Sequence, residues 1–142
     1  MKIYLDTSSL IKLYHTESGT NELDNLLENR VIEEIFLSEI TKIEFNSAIW
    51  KKVRTKDLTN EEASELIGSF INDYDNYSFV DLDNDLILQA KDLVTKYGIQ
   101  GLRTLDAIQL ASIISVKSDL SLAVTADNLL RSLINLEGIK TI

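Results

Sequence analysis

The stretch KIYLDTSSLIKLY, residues 2–14, decides how the rest of the chain is read. KIYL carries strand-type residues and stops at Asp6, and TSSLIKLY continues with a helical pattern. A strand that passes into a helix through one acidic residue is a unit of alternating architecture. Further strand-type runs follow at EIFLS (34–38), YSFVD (77–81) and LSLAVT (120–125), with GIKTI (138–142) as a weaker fifth. Helical patterns cover about 7–14, 20–28, 39–55, 59–75, 83–97, 104–116 and 127–135. This alternation predicts an α/β chain: a three-layer α/β/α domain with a central, mainly parallel sheet of four to five strands. In such sheets the ligand crevice lies at the carboxyl ends of the strands.

A length of 142 residues with 44% hydrophobic content suits one compact domain over 1–142. Proline is absent, and no repeat or low-complexity stretch marks a boundary. Without cysteine there is neither a disulfide framework nor a thiolate metal site, and the single histidine, His15, excludes a multi-histidine zinc site. MKIYLDTSS lacks the apolar region of a signal peptide, and no apolar run approaches membrane-spanning length. The expectation is a cytoplasmic protein with no membrane partner. A formal charge of −9 disfavours a broad nucleic-acid-binding surface but leaves room for a local basic stripe.

Four acids call for an explanation. Asp6 and Asp127 each follow a strand and precede a helix, where a helix cap and a ligand are both open readings. Glu44 borders the apolar face of its helix, beside Ile40, Ser47 and Ala48, where a solvated side chain would also be ordinary. Asp106 follows Thr104, the expected N-cap, in a segment that is apolar nearly all round, LDAIQLASIISV. The helix dipole offers an acid there about 0.3–1 kcal/mol, which is small against desolvating a charge.

All four acids belong near one edge of the predicted sheet, so they can converge on a single crevice. Clustered carboxylates raise one another's pKa values unless a cation holds them. With no thiolate or histidine cluster, oxygen donors point to Mg²⁺ or Mn²⁺, whose chemistry suits phosphodiester hydrolysis. Thr7, Ser8 and Ser9 follow Asp6, and Thr125 precedes Asp127; such hydroxyls orient carboxylates or serve turns and caps. KKVRTK (51–56) places four cations in six residues, either a solvated helix end or a phosphate contact through Lys51, Lys52 and Arg54.

DTSSLIKLYHTESG (6–19), IEFNSAIWKKVR (43–54), LRTLDAIQLAS (102–112) and TADNLL (125–130) together resemble the PIN-domain family. Within it, the spacing is most similar to the VapC-type toxins of toxin–antitoxin pairs. The resemblance covers essentially the whole chain, and the order of the four motifs makes it specific. It implies an acidic quartet of Asp6, Glu44, Asp106 and Asp127 that binds Mg²⁺ or Mn²⁺ and hydrolyses single-stranded RNA. Asp6 and Asp106 would coordinate directly, Glu44 and Asp127 directly or through water, with Ser8 and Thr125 as orienting hydroxyls. It further implies a homodimer held inactive by a cognate antitoxin, whose tail crosses the acidic groove and rests on an apolar surface around Leu10, Leu13 and Tyr14.

Other classes fit less well. A haloacid-dehalogenase-type phosphatase needs a second Asp two positions after Asp6, where Ser8 stands. A receiver domain needs an acceptor Asp at the third strand, for which Asp81 is the one offer. A catalytically silent PIN-like binding module is the non-enzyme alternative.

Overall fold

The computed structural model describes residues 1–16 and 20–142, so the last part of the DTSSLIKLYHTESG motif lies outside the described residues. The described residues form four strands: β1 (Lys2–Leu5), β2 (Glu34–Ser38), β3 (Ser78–Val80) and β4 (Leu122–Val124). The helices are α1 (Thr7–Tyr14), α2 (Thr20–Asn29), α3 (Thr41–Arg54), α4 (Asn60–Asn72), α5 (Asn84–Tyr97), α6 (Thr104–Ser115) and α7 (Asn128–Leu136). A short 3-10 turn, Tyr74–Asn76, leads into β3.

The sheet runs in the order β3-β2-β1-β4, and every pairing is parallel. The two-residue period of the strands sorts their side chains between two cores. Ile3, Leu5, Leu37, Leu122 and Val124 face α1 to α4, whereas Tyr4, Phe36 and Ala123 face α5 to α7. The chain steps outward from β1 to β3 with helices on one face, then crosses back to β4 with helices on the other. A uniform hand of crossover requires that change of face. The reversal makes a topological switch point between β1 and β4, where open α/β sheets form their crevice.

Two expectations need correction. GIKTI does not form a fifth strand: among the described residues its ladder is one parallel bridge, Thr141 to Ala123. Neighbouring backbone bonds, from Ala123 N to Lys140 O at 2.9 Å and from Ile142 N to Ala123 O at 3.3 Å, accompany it. Thr104 is not the N-cap of α6; Arg103 holds that position in extended conformation and makes no side-chain cap bond. The preceding turn at Gly101 (φ 103) and the buried Leu102 set where the chain enters the helix, which makes Thr104 its first residue.

Candidate active site

Asp6 leaves β1 and caps α1: its Oδ1 accepts from the Ser9 N–H at 2.9 Å and from the Ser8 hydroxyl at 2.8 Å. Its Oδ2 accepts from the Thr125 hydroxyl at 2.5 Å, across the switch point from the end of β4. The Thr125 oxygen in turn accepts from the Asp127 N–H at 3.0 Å, and Asp127 Oδ1 caps α7 through the Leu130 N–H at 2.7 Å. The two capping readings are therefore borne out. Each cap occupies one carboxylate oxygen, Oδ1 of Asp6 and Oδ1 of Asp127.

Asp6 is only 5% exposed, and that burial pushes its carboxyl up from the usual range. The hydrogen bonds from Thr125, Ser8 and Ser9 work against this by favouring the charged form.

Glu44 lies one turn into α3 and is half-buried. Its Oε1 accepts from the Gln109 amide at 2.8 Å and from the Thr7 hydroxyl at 3.0 Å. Burial raises its pKa, those two bonds lower it, and the charges of Asp6 and Asp106 raise it further. Asp106, in the first turn of α6, is raised first by burial and then by Asp127 and Asp6. Among the described residues Asp106 accepts no hydrogen bond. The seven residues that follow it, Ala107 to Ile113, are all buried. The charges of Asp6 and Asp106 thus bear on Glu44, and those of Asp127 and Asp6 on Asp106, which their sequence positions alone did not establish.

Gln109 is the residue that sequence reasoning missed. It is 2% exposed and joins β1, α1, α3 and α6. The Tyr4 hydroxyl donates to its Oε1 at 2.5 Å, while its Nε2 reaches Thr7 at 3.2 Å, Thr41 at 3.1 Å and Glu44 at 2.8 Å. A signal existed: Gln109 is the lone uncharged amide in an apolar helix, one turn beyond Asp106 on the same face. Arg131 was also missed; one of its terminal nitrogens donates to the Thr125 carbonyl at 2.7 Å and so steadies the end of β4.

Lys51, Lys52 and Arg54 form the last turn of α3. A cleft of about 390 Å³ links Lys51 and Lys52 to Ser8, beside Asp6; Arg54 does not line it. The expected apolar landing surface fails at one member, because Leu10 is fully buried in the core. Tyr14 is half-buried, with its hydroxyl held by Asp73 and Tyr77 at 2.8 Å each.

The four carboxylates offer only oxygen donors, the set that hard divalent cations take. Among the described residues none of the four forms an ion pair; hydrogen bonds answer the charge of Asp6, Glu44 and Asp127, and nothing answers that of Asp106. Chemistry and charge therefore fit a divalent cation. Side-chain placement is less complete: among the described residues no three acids are arranged to hold one ion. Asp6 and Asp127 are drawn toward their caps, and Glu44 toward Gln109.

A family model described as the PIN domain matches residues 3–134. No curated protein matches the chain in sequence. Among solved structures, the chain is similar to Mycobacterium tuberculosis VapC20, a Sarcin-Ricin loop cleaving toxin, with 16% identity and a TM-score of 0.71 over 92% of this chain and 94% of that one. It is also similar to VapBC2 from Rickettsia felis bound to a DNA fragment from their promoter, with 16% identity, a TM-score of 0.64 and 100% and 98% coverage. A toxin–antitoxin complex from Klebsiella pneumoniae aligns at 20% identity and a TM-score of 0.60, over 88% of this chain and 86% of that one.

Proposed function

The chain belongs to the PIN-domain family, and on that premise we propose that it is a metal-dependent endoribonuclease, the toxin of a toxin–antitoxin pair. The observation that carries this reading is the meeting of β1, α1, α3 and the end of β4 at the switch point of the sheet, where Thr125 joins Asp6 to the Asp127 N–H while Thr7 and Gln109 hold Glu44. Asp6 and Asp106 would hold Mg²⁺ or Mn²⁺, with Glu44 and Asp127 completing the set. A bound divalent cation would supply Lewis acidity and a site that favours ionised water beside a phosphodiester.

The chain's own residues have defined work in this scheme. Thr125 and Ser8 fix the Asp6 carboxylate from two sides and favour its charged form against the burial that raises its pKa. Gln109 and Thr7 aim Glu44 from behind. Lys51 and Lys52 would take phosphates of single-stranded RNA along the cleft that begins at Ser8, and Arg54, in the same turn of α3, a phosphate beyond it.

A cognate antitoxin would cover the acidic groove and place a guanidinium or ammonium against Asp6, Glu44 or Asp106. A homodimer is part of the same reading, as is a single domain over 1–142. No helix among the described residues is long and apolar enough to cross a membrane. The proposal adds a cytoplasmic setting.

Incubation with a panel of single-stranded RNAs tests the proposal: cleavage should require Mg²⁺ or Mn²⁺ and disappear in Asp106→Asn. Metal-independent cleavage, or none with any RNA, counts against it. A catalytically silent module is the second reading, favoured by the absence of a closed three-acid cluster among the described residues. Under that reading the protein captures a partner while the RNA panel stays intact.

A further inference from the structure

Helix α3 has a face that neither the core nor the carboxylates use. Its inward face is Thr41, Phe45 and Ile49. Turning about 100° per residue, the outward face carries Ile43, Ser47, Trp50 and Arg54, spaced i, i+4, i+7 and i+11. Ile43 is 67% exposed and Trp50 39%. Trp50 is in neither core cluster, and among the described residues no ring or cation stacks on it. Lys51 is exposed, lies on the wheel between Trp50 and Glu44, and borders the cleft that starts at Ser8. In a chain of charge −9, this turn brings Lys51, Lys52 and Arg54 together. Asp57, the acid in the same cleft, accepts from the Thr55 hydroxyl at 2.9 Å.

We propose that Trp50, flanked by Lys51 and Arg54, is a stacking platform for an unpaired base of a single-stranded nucleic acid whose backbone runs toward Glu44. The inference rests on the nuclease reading and adds to it a subsite and a mode of binding. An exposed indole beside cations is the combination that binds single strands: the ring stacks on any base while the charges hold the phosphates. Bases of a duplex are already stacked inside it and present no face to the ring. With a rise of about 1.5 Å per residue, Trp50 stands roughly 9 Å along α3 from Glu44, within reach of a nucleotide near one held at the acids.

Trp50 is the chain's single tryptophan, so its fluorescence reads this surface directly. The probes are a short oligoadenylate and an abasic ribose-phosphate strand of equal length and charge, with metal chelated so that neither is cut. Quenching by the oligoadenylate and little by the abasic strand is the expected result. Trp50→Ala should weaken oligoadenylate binding about ten-fold and leave abasic binding unchanged, and Trp50→Phe should keep most of the affinity. Equal quenching by both strands, or unchanged affinity in Trp50→Ala, overturns the platform. So does a Trp50→Ala protein that binds normally but sediments at a different mass, since the face would then join copies of the chain. If the wild type cleaves RNA and Trp50 proves silent, the platform alone fails. A wild type that neither binds nor cleaves removes the nuclease reading and the platform with it.

Discussion

The Gln109 amide nitrogen lies 2.8 Å from Glu44 Oε1, and the same side chain receives the Tyr4 hydroxyl on its other end. One buried carboxamide thus ties the orientation of an acid on α3 to the central strand. Gln109→Leu would strip partners from Tyr4, Thr7, Thr41 and Glu44 at once. We expect a loss of about 1–3 kcal/mol in a urea melt, together with weaker cleavage. Gln109→Glu should fold less stably still at neutral pH and regain stability in acid, because it places a second carboxylate against Glu44. Leucine and glutamate variants that melt and cleave like the wild type would show that the amide merely fills space.

Metal should act as a structural ligand as well as a chemical one. Because the four acids repel, saturating Mg²⁺ or Mn²⁺ should raise the melting temperature of the wild type. Asp6→Asn and Asp106→Asn should lose that response and, metal-free, melt no lower than the wild type. Full metal stabilisation in both variants would place the ion elsewhere.

Acid should stabilise the metal-free protein over a defined window. Asp6, Glu44 and Asp106 all have folded pKa values above those of free carboxyls. Between the unfolded values, about 4, and the raised folded ones, the native state binds more protons than the unfolded chain. Stability therefore rises as pH falls through the folded values and gains nothing more from these groups below the unfolded ones. Chelated protein melted from neutral pH downward should show this rise, and saturating Mg²⁺ should flatten it. A steady loss of stability over the same window would contradict the assignment.

The cations of α3 should be visible in salt. Neutralising Lys51, Lys52 and Arg54 should weaken RNA binding and reduce the slope of log affinity against log salt by up to about three counterions. Folding should change little with Lys51 and Arg54 neutralised, since exposed charges at a helix end contribute under about 1 kcal/mol. An unchanged slope would return this turn to the role of a solvated helix end.

Sequence reading reached what depends on local chemistry. The Asp6 and Asp127 caps were readable because a strand, an acid and a helix follow one another along the chain. The strands were readable because their apolar runs are short and end in polar residues. What escaped depends on contacts between distant segments. Tyr4, Thr7, Thr41 and Gln109 each look ordinary in place, and only packing shows them to be one network. Thr104 was misplaced because cap preference is a local rule, whereas the entry into α6 is set by the Gly101 turn and the burial of Leu102. Gly138, also at positive φ (79), precedes a run whose strand-like residues secure only one bridge.

Capping at Asp6 has a consequence for how such a chain can change over generations. Asparagine caps a helix as well as aspartate does, and the two differ by a single base in their codons. One mutation at residue 6 would spare the cap of α1 while removing a charge from the crevice and the oxygen that accepts from the Thr125 hydroxyl. Descendants could therefore abandon the chemistry in one step and inherit the scaffold, free to be kept for whatever it still grips.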